Sequence, residues 1–387
     1  MTLEQFQALL TSTGIAALAA ATALSPTEAT FLKCFEKLHK RFDSELAKAA
    51  LETVLLRAKA ASRFPDAAVM YFTKEALEQS TSQIVAAHRA QRFAKYKTVL
   101  DLACGLGGDA IALAKAGCHV IAFDNDPLRV ELATANLKVL GLIGEVRLAD
   151  VLTEPMPATD AVFCDPARRA EHRRFLSIAD YIPSPEDVRR RFPVGTPLAF
   201  KLAPGVPWND LKMLDGEIEF VSLHGELKEC VLWLGALKSV KHRASLLPNS
   251  DAITAETPEP EPPVGDVCEY LYDPDPAVER AKLVGNLATM LNAESIDNAP
   301  AFLTANDLMA TPFAESYRVL NTLKYDRKAL NATLRELNIG RVTLIRKNTP
   351  LNAEEVQHGL KLKGEAHCHV ILTRVAGVSS AIVANKI

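Results

Sequence analysis

The spacing of hydrophobic and polar residues divides the chain into four regions. Over residues 1–95, apolar residues recur at helical spacing, alanine and leucine dominate and glycine is nearly absent, which predicts a helical region. Over residues 96–247, short apolar runs alternate with helical patterns, which predicts an α/β domain. Residues 248–265 contain five prolines and several acids, the composition of a linker. Residues 266–387 are predicted to form a small α+β domain.

Individual strands follow from the short apolar runs. In the α/β region we predict six strands, at 98–102, 118–124, 145–150, 161–164, 197–203 and 225–234. In the last region the predicted order is strand, helix, strand, strand, at 341–346, 353–360, 369–374 and 381–384.

A glycine-rich turn follows the first predicted strand. Gly105, Gly107 and Gly108 separate it from a predicted helix, and glycine lets the backbone bend sharply and bring main-chain N–H groups close to a ligand. The next strand ends at Asp124, 19 residues after Gly105. This is the distance at which a βαβ unit places a carboxylate on a ribose hydroxyl. The combination predicts a nucleotide-type site.

Two carboxylates flank the turn and bear on the kind of ligand. Asp101 and Asp109 would repel a diphosphate but attract an ammonium or sulfonium group. The glycine spacing also differs from the G-x-G-x-x-G of dinucleotide sites. Both observations favour a positively charged cofactor over a dinucleotide, with a dehydrogenase and a degenerate site that binds nothing as the alternatives.

Residues 98–109 resemble motif I of class I S-adenosylmethionine-dependent methyltransferases. The resemblance implies an α/β, Rossmann-like fold with seven mostly parallel strands, and S-adenosyl-L-methionine as the cofactor. The residues that would contact this cofactor lie in the turn and after the second and third strands: Asp101, Ala103, Gly105, Gly107, Asp109, Asp124, Asn125, Asp150 and Val151. We expect no metal ion in the site.

A segment ahead of the first strand adds two cofactor candidates. Residues 71–81 are similar to a segment that closes over the methionine end of the cofactor in RNA methyltransferases such as trimethylguanosine synthase. By that resemblance Gln79 and Thr81 contact the cofactor. For Thr81, capping of the following helix is an equally good interpretation.

The strand at 161–164 ends in Asp165-Pro166-Ala167-Arg168, at the sheet edge where α/β folds bind ligands. Methyltransferases that act on exocyclic amines carry N/D-P-P-Y/F/W at this position. In this chain Ala167 stands in place of the second proline and Arg168 in place of the aromatic residue. A guanidinium group can stack on a base or neutralise a phosphate. We therefore assign Asp165, Pro166 and Arg168 as catalytic, although the replacement argues against amine chemistry and Arg168 could instead begin a solvated loop.

Charge is distributed unevenly along the chain. The net charge of −3 argues against a uniformly basic nucleic-acid binder, but seven arginines and four acids lie between Arg168 and Arg191. From Ser316 to the end there are twelve Lys and Arg residues and five acids. The segment from Arg168 to Arg191 is predicted to form a basic lip beside the reaction centre. This lip and the basic C-terminal region both suit a phosphate-bearing partner.

The whole chain resembles bacterial class I methyltransferases that carry a C-terminal THUMP-like domain. The resemblance rests on 77–81, the D-P-A-R-R motif, 200–205, 270–275 and 360–364. By analogy it implies a base in rRNA or tRNA as the methyl acceptor. A protein or small-molecule methyltransferase, and an RNA-binding protein with a vestigial cofactor site, are the alternatives.

Other residues bear on compartment and chemistry. The seven cysteines form no C-x-x-C pair, and no apolar run reaches membrane-spanning length, so we expect a cytoplasmic protein without a membrane partner. Lys201 and Glu229 are candidate site residues, with an ion-pair role equally plausible. His367 and His369 are interpreted as strand residues rather than metal ligands.

Overall fold

The structure, a computed structural model, describes residues 1–168 and 177–387, and of Arg168 it describes the backbone alone. The chain divides into two compact units. Unit 1 contains residues 1–217 and 230–239, and unit 2 contains residues 218–229 and 240–387.

Helices dominate the first part of unit 1, as predicted. Its helices are α1 (Leu3–Leu10), α2 (Ser12–Ala23), α3 (Phe31–His39), α4 (Ser44–Ala60), α5 (Lys74–Gln79), α6 (Gln83–Phe93), α7 (Gly108–Lys115), α8 (Pro127–Val139), α9 (Pro185–Arg190) and α10 (Trp208–Lys212). Phe6 and Leu9 of α1, Leu51 of α4 and Leu132 of α8 are fully buried in one apolar cluster. Among the described residues no single helix is long and apolar enough to cross a membrane. Helices α1 and α2 meet the criteria of length and composition only when taken together, and the pair is bent by 88°.

The sheet of unit 1 is largely parallel. Its strands are β1 (Thr98–Leu102), β2 (His119–Asp124), β3 (Gly144–Leu148), β4 (Ala161–Cys164), β7 (Leu198–Leu202) and β9 (Glu226–Leu234), and a separate antiparallel pair is formed by β5 (Ala167–Arg168) and β6 (Tyr181–Ile182). The order is β3-β2-β1-β4-β7-β9, with β9 antiparallel to β7 and the other neighbours parallel. The predicted Rossmann-like architecture is confirmed, because β1 lies between β2 and β4 with helices in the crossovers.

Unit 2 contains a second sheet, which has seven strands. Its elements are β8 (Glu217–Leu223), β10 (His242–Leu247), β11 (Asp251–Ala255), β12 (Tyr270–Pro274), α11 (Pro276–Arg280), α12 (Val284–Leu291), β13 (Glu294–Ser295), β14 (Leu303–Ala305), β15 (Ala314–Lys324), α13 (Arg327–Glu336), β16 (Ile339–Arg346), α14 (Ala353–Gly359), β17 (Ala366–Val375) and β18 (Val378–Lys386). The strand order of the seven-stranded sheet is β13-β14-β12-β15-β18-β17-β16. β8, β10 and β11 lie outside this sheet and pair in the order β8-β10-β11. Leu334 of α13 and Val356 of α14 pack on Val370 and Leu372 of β17.

The C-terminal prediction is confirmed in its order but was incomplete. The predicted strand, helix, strand, strand correspond to β16, α14, β17 and β18. The structure adds α13 and the long strand β15, whose residues are mostly exposed or half-buried. A strand with so few buried positions lacks the alternating apolar pattern that identifies strands in a sequence.

The predicted linker at 248–265 requires a correction. Its residues 251–255 form β11, which pairs antiparallel with β10, and Ile253 is buried. The alternation of Ile253 with polar or small neighbours supports a strand even in an acidic, proline-rich segment. Further along, Gly265 N donates to Ser295 O at 2.9 Å, so the end of the segment is also attached to unit 2.

Candidate functional site

The candidate site lies where the parallel strands of unit 1 end. Asp101 lies on β1, opposite Ala122 of β2 and Phe163 of β4. Asp124 is the last residue of β2, and Asp165 directly follows β4. Because the carboxyl ends of parallel strands share one sheet edge, the fold brings these three carboxylates to the same side.

The turn after β1 depends on unusual backbone conformations. Ala103, Gly105 and Gly107 have φ angles of 63°, 57° and 86°, the left-handed region that favours glycine. A Cβ on Gly107 would lie 3.1 Å from the Cβ of Ala133 in α8. A side chain at Gly107 would therefore combine backbone strain with crowding against α8.

Asp124 anchors the turn to the end of β2. This carboxylate is buried, its Oδ2 accepts a hydrogen bond from Gly105 N at 2.9 Å, and its Oδ1 accepts one from Asp126 N at 3.0 Å. Each carboxylate oxygen has a second lone pair, so Asp124 can still accept hydrogen bonds from ribose hydroxyls. The exposed Asn125 lies between the two acids.

The chain after β3 passes beside Asp124. Ala149 N donates to Asp124 O at 3.0 Å, which places Asp150 and Val151 next to the end of β2. The exposed Asp150 caps its own turn by accepting from Leu152 N at 2.9 Å, and Val151 is buried. The predicted cofactor residues of these two strand ends are thus adjacent.

Asp101 is a fully buried carboxyl group. Within the described residues neither of its carboxylate oxygens has a hydrogen-bond partner. Burial raises the pKa of Asp101 well above its usual value, the carboxylates of Asp109 and Asp165 raise it further, and Arg89 acts in the opposite direction. A buried acid without a partner is costly, and a positive charge placed beside it would recover that cost.

Asp109 is paired with Arg89, a residue that the sequence did not single out. Arg89 lies on α6, is almost fully buried and forms an ion pair with Asp109 in the first turn of α7. Its guanidinium carbon lies 5.2 Å from the ring centroid of Phe163. In the sequence Arg89 was one of several basic residues on a helix, with no motif to mark it.

The expected cofactor, S-adenosyl-L-methionine, fits this set of residues. It carries an ammonium and a sulfonium group, and the edge offers the unpartnered carboxyl of Asp101 for a cation. It also carries two ribose hydroxyls, for which Asp124 is a suitable acceptor. The chemistry of the donor set therefore agrees with this cofactor.

The segment that holds Gln79 and Thr81 packs on the same turn. Leu77 of α5 belongs to one buried cluster with Leu106 of the turn. Gln79 is the exposed last residue of α5 and Thr81 is half-buried. The N-cap of α6 is Ser82, so the N-cap interpretation of Thr81 is wrong.

Asn136 of α8 connects three segments around the turn, a role that no local sequence motif marks. Its amide is fully buried. Asn136 Oδ1 accepts from Tyr71 N at 2.7 Å, and Nδ2 donates to Tyr71 O and to Leu106 O, each at 3.0 Å. A single side chain thus holds the turn, α8 and the segment before α5 together.

Asp165 is bound by Lys201 of β7. The distance between Lys201 Nζ and Asp165 Oδ2 is 2.6 Å. Asp165 N donates to Leu102 O at 3.3 Å, and Pro166 is buried. For Arg168 only the backbone is described, as part of β5.

The predicted basic lip is described in part. Arg169, Arg173 and Arg174 lie outside the described residues. Arg190 is paired with Glu186 at 3.2 Å, and Arg191 Nη2 donates to Glu154 O at 2.5 Å. These described arginines already have protein partners, which weakens the charge argument for the lip.

The basic C-terminal region contains a group of exposed cations that we name the basic corner: Arg327, Lys328, Lys361 and Lys363. Asn331 of α13 holds it together, since Nδ2 donates to Arg327 O at 2.8 Å and to Gly359 O at 3.0 Å, and Oδ1 accepts from Lys361 N at 2.6 Å. In the described part of the chain, none of the four cations makes a salt bridge. These four cations are therefore open to a partner that supplies negative charge.

Three family models match the chain. They are a domain family of unknown function over residues 2–60, a methyltransferase domain over residues 99–177 and a THUMP domain-like family over residues 314–386. The methyltransferase match contains β1 to β4, and the THUMP-like match contains β15 to β18.

Relatives of the chain extend these matches. An uncharacterized S-adenosylmethionine-dependent methyltransferase of Mycobacterium tuberculosis H37Rv is 32% identical over 345 residues, which cover 86% of this chain and 95% of that protein. A tRNA (uracil(54)-C(5))-methyltransferase of Pyrococcus furiosus is 27% identical over 86 residues, 22% of this chain and 21% of that protein. A crystal structure of a Porphyromonas gingivalis W83 protein described as a methyltransferase has a TM-score of 0.74 at 19% identity, covering 93% of this chain and 99% of that one.

Proposed function

This chain belongs to the S-adenosylmethionine-dependent methyltransferases, and on that premise we propose that its methyl acceptor is RNA. The observation that carries the proposal is the basic corner. Four exposed cations lie in the region matched by the THUMP-like model, and within the described residues they form no salt bridge: Arg327, Lys328, Lys361 and Lys363. A cluster of exposed cations is the electrostatic signature of a phosphate-backbone partner.

We propose that the sequence-predicted residues divide the cofactor between them. Asp124 and Asn125 would hold the ribose, Asp150 and Val151 the adenine, and Asp101 the methionine ammonium. The remaining residues that the sequence predicted as cofactor contacts would enclose the methionine end of the cofactor: Gln79, Thr81, Ala103, Gly105, Gly107 and Asp109.

The reaction needs alignment more than chemical activation. When bound, S-adenosylmethionine would supply a methyl group on a sulfonium, and the acceptor would attack the methyl carbon in line with the carbon–sulfur bond, so that a neutral thioether leaves. Asp165 would hold the acceptor and take its proton, Pro166 would fix the direction of the chain at Asp165, and Arg168 would contact a base or phosphate of the substrate. Positioning of this kind accounts for a large share of enzymatic rate enhancement.

The test uses purified protein, tritiated S-adenosylmethionine and extract from cells that lack the gene. The labelled material is divided and treated with ribonuclease or with protease. We expect the label to be lost after ribonuclease alone. Label lost after protease alone, label in small molecules, or no label at all would overturn the RNA proposal. The Asp124→Ala protein provides the blank.

Asp165 is tested separately from cofactor binding. We expect Asp165→Ala to bind the cofactor normally, by isothermal titration calorimetry, and to lose most of its turnover. Equal loss of cofactor affinity in Asp165→Ala and Asp124→Ala would refute the division of roles proposed here.

A further inference from the structure

We propose that Lys201 restricts the methyl acceptor to a group that reacts as its conjugate base, a ribose hydroxyl or an imide-type ring N–H, and excludes exocyclic amines. The inference deepens the proposed function and rests on RNA being the substrate. It concerns which atom of the RNA receives the methyl group.

The starting point is an ion pair at the reaction centre, whose ammonium group is left unbalanced by Asp165 once that carboxylate has taken a proton. Lys201 Nζ lies 2.6 Å from Asp165 Oδ2, and the two side chains are 19% and 29% exposed. Partial burial weakens the screening of this ammonium group by water. An acceptor held by Asp165 therefore lies close to a cation.

That cation affects different acceptors in opposite ways. An amine that attacks a methyl group becomes positively charged as the new bond forms, so a neighbouring ammonium raises the energy of its transition state. A hydroxyl or imide group acquires negative charge as its proton leaves, so the same ammonium lowers the energy of its transition state. The Asp165–Lys201 pair thus favours an acceptor that gives up a proton.

The proposed step is balanced within the site. The Asp165 carboxylate takes the proton of the acceptor, and Lys201 stabilises the charge left on the acceptor atom. The acceptor's electron pair forms the bond to the methyl carbon while the carbon–sulfur bond breaks and its electrons stay on sulfur. The products are the methylated acceptor, a neutral thioether and protonated Asp165.

Two cysteines next to the site do not supply an alternative chemistry. Cys104 lies in the glycine turn and Cys164 precedes Asp165, and both are buried. Burial is the main cause that raises the pKa of each thiol well above its usual value. A buried thiol that stays protonated is a poor nucleophile, so activation of a base carbon by thiolate addition is not available from these residues.

The acceptor atom can be identified on labelled RNA. Alkali cleaves every linkage that has a free ribose hydroxyl, so a methylated ribose leaves an alkali-stable dinucleotide. Base-labelled material is digested enzymatically to nucleosides and separated against standards methylated on an imide nitrogen, an exocyclic amine or a carbon. We expect the label in the alkali-stable dinucleotides or in the imide standards, and the two arms tell these sources apart.

The outcomes separate the inference from the proposed function. Label in an exocyclic amine or on a carbon would overturn the inference and leave RNA as the substrate. Absence of label from RNA would overturn the proposed function and this inference with it.

Variants of Lys201 provide a second measurement. We expect Lys201→Met to keep cofactor affinity within threefold, by calorimetry, and to lose about 100-fold in turnover, the scale for a positioned charged group. Lys201→Arg, which keeps the charge, should restore turnover to within about tenfold of the native protein. Lys212→Met, at an exposed lysine of α10, is the matched control. The inference would be contradicted if the turnover of Lys201→Met stayed within threefold of the native value, or if the turnover of Lys201→Arg did not exceed that of Lys201→Met. The test that identifies the labelled atom uses the native protein, so it does not depend on the folding of either variant.

Discussion

The sheet edge of unit 1 and the basic corner of unit 2 handle charge in opposite ways. At the sheet edge Asp101 is buried, with no hydrogen-bond partner in the described residues. At the basic corner Lys361 and its neighbours are exposed and, within the same residues, form no salt bridge. A buried carboxyl group without a partner suits a small cationic ligand that replaces water, whereas exposed charges suit a large polyanion that releases its counterions on binding.

The difference predicts how salt acts on the two regions. Exposed charges are screened within about 10 Å at 0.1 M salt, while buried ones are screened much less. Cofactor affinity should therefore change little with ionic strength, and binding of the polyanion should weaken steeply. The following experiments test this contrast, in order of expected effect.

Replacement of Asp124 by alanine should have the largest effect. The variant loses the acceptor for Gly105 N and for the cofactor's ribose, so we expect affinity for S-adenosylhomocysteine to fall at least 100-fold, or about 3 kcal/mol for charge-assisted hydrogen bonds. Isothermal titration calorimetry measures it. Asp126→Asn is the matched control, because Asp126 is the N-cap of α8 and asparagine also caps helices well. Affinity within tenfold of the native value in Asp124→Ala would refute the role of this carboxylate.

Charge reversal at the basic corner should affect RNA alone. We expect Arg327→Glu/Lys328→Glu/Lys361→Glu to weaken RNA binding about 30-fold or more at 0.1 M salt and to reduce the slope of affinity against salt. Cofactor affinity should be unchanged. The same change of charge at exposed lysines of unit 1, Lys33→Glu/Lys37→Glu/Lys40→Glu, is the control for net charge. Equal loss of RNA binding in both triple variants would show that the basic corner has no special role.

Removal of the Asn136 amide should have a moderate effect on both stability and the cofactor. Asn136→Ala leaves Tyr71 N and the carbonyls of Tyr71 and Leu106 without their partner, at a cost of about 2–3 kcal/mol in the free energy of unfolding. Cofactor affinity should fall about tenfold because the turn is less well held. Urea denaturation and calorimetry measure the two effects. Thr134→Ala, on an exposed part of the same helix, controls for the change in helix propensity on introducing alanine. Similar losses in the two variants would contradict this account.

The smallest effect concerns the pH dependence of stability through Asp101. Its pKa is raised in the folded state from an ordinary value of 3.8, first by burial and then by Asp109. As pH rises above about 4, the unfolded chain releases this proton while the folded protein keeps it. The free energy of unfolding therefore falls until the pH reaches the pKa of Asp101 in the folded state.

Asp101→Asn removes this titration. We expect the free energy of unfolding of the variant, relative to the native protein, to rise by about 1 kcal/mol between pH 4 and pH 8. Urea denaturation across this range measures it. Parallel pH profiles for the two proteins would show that Asp101 does not titrate in this way.

Local sequence patterns predicted the centre of the fold well. The apolar runs located β1, β2, β4 and β7 within one or two residues, because buried parallel strands are continuous apolar stretches bounded by turns. The resemblance to methyltransferases with a THUMP-like domain is confirmed by the family models and the Mycobacterium tuberculosis relative. The glycine turn and Asp124 were likewise found from local spacing.

What the sequence could not supply were contacts between distant residues. Arg89 and Asp109 are 20 residues apart, Asp165 and Lys201 are 36 apart, and Asn136 reaches Tyr71 across 65 residues. No local pattern specifies such pairs, because they depend on how strands and helices are arranged in space. β11 was missed for a related reason, since its composition resembles a linker and its pairing with β10 identifies it as a strand.

The short pair β5–β6 has a consequence for how the protein can diverge. Ala167 pairs with Ile182 and Arg168 with Tyr181, and the Tyr181 hydroxyl accepts from Ala203 N at 2.8 Å. The pair therefore holds the chain beside Asp165 on both sides of residues 169–176. Changes of sequence or length between β5 and β6 should accordingly leave Asp165 in place, so that the residues joining the two strands can vary separately from the carboxylate at the sheet edge.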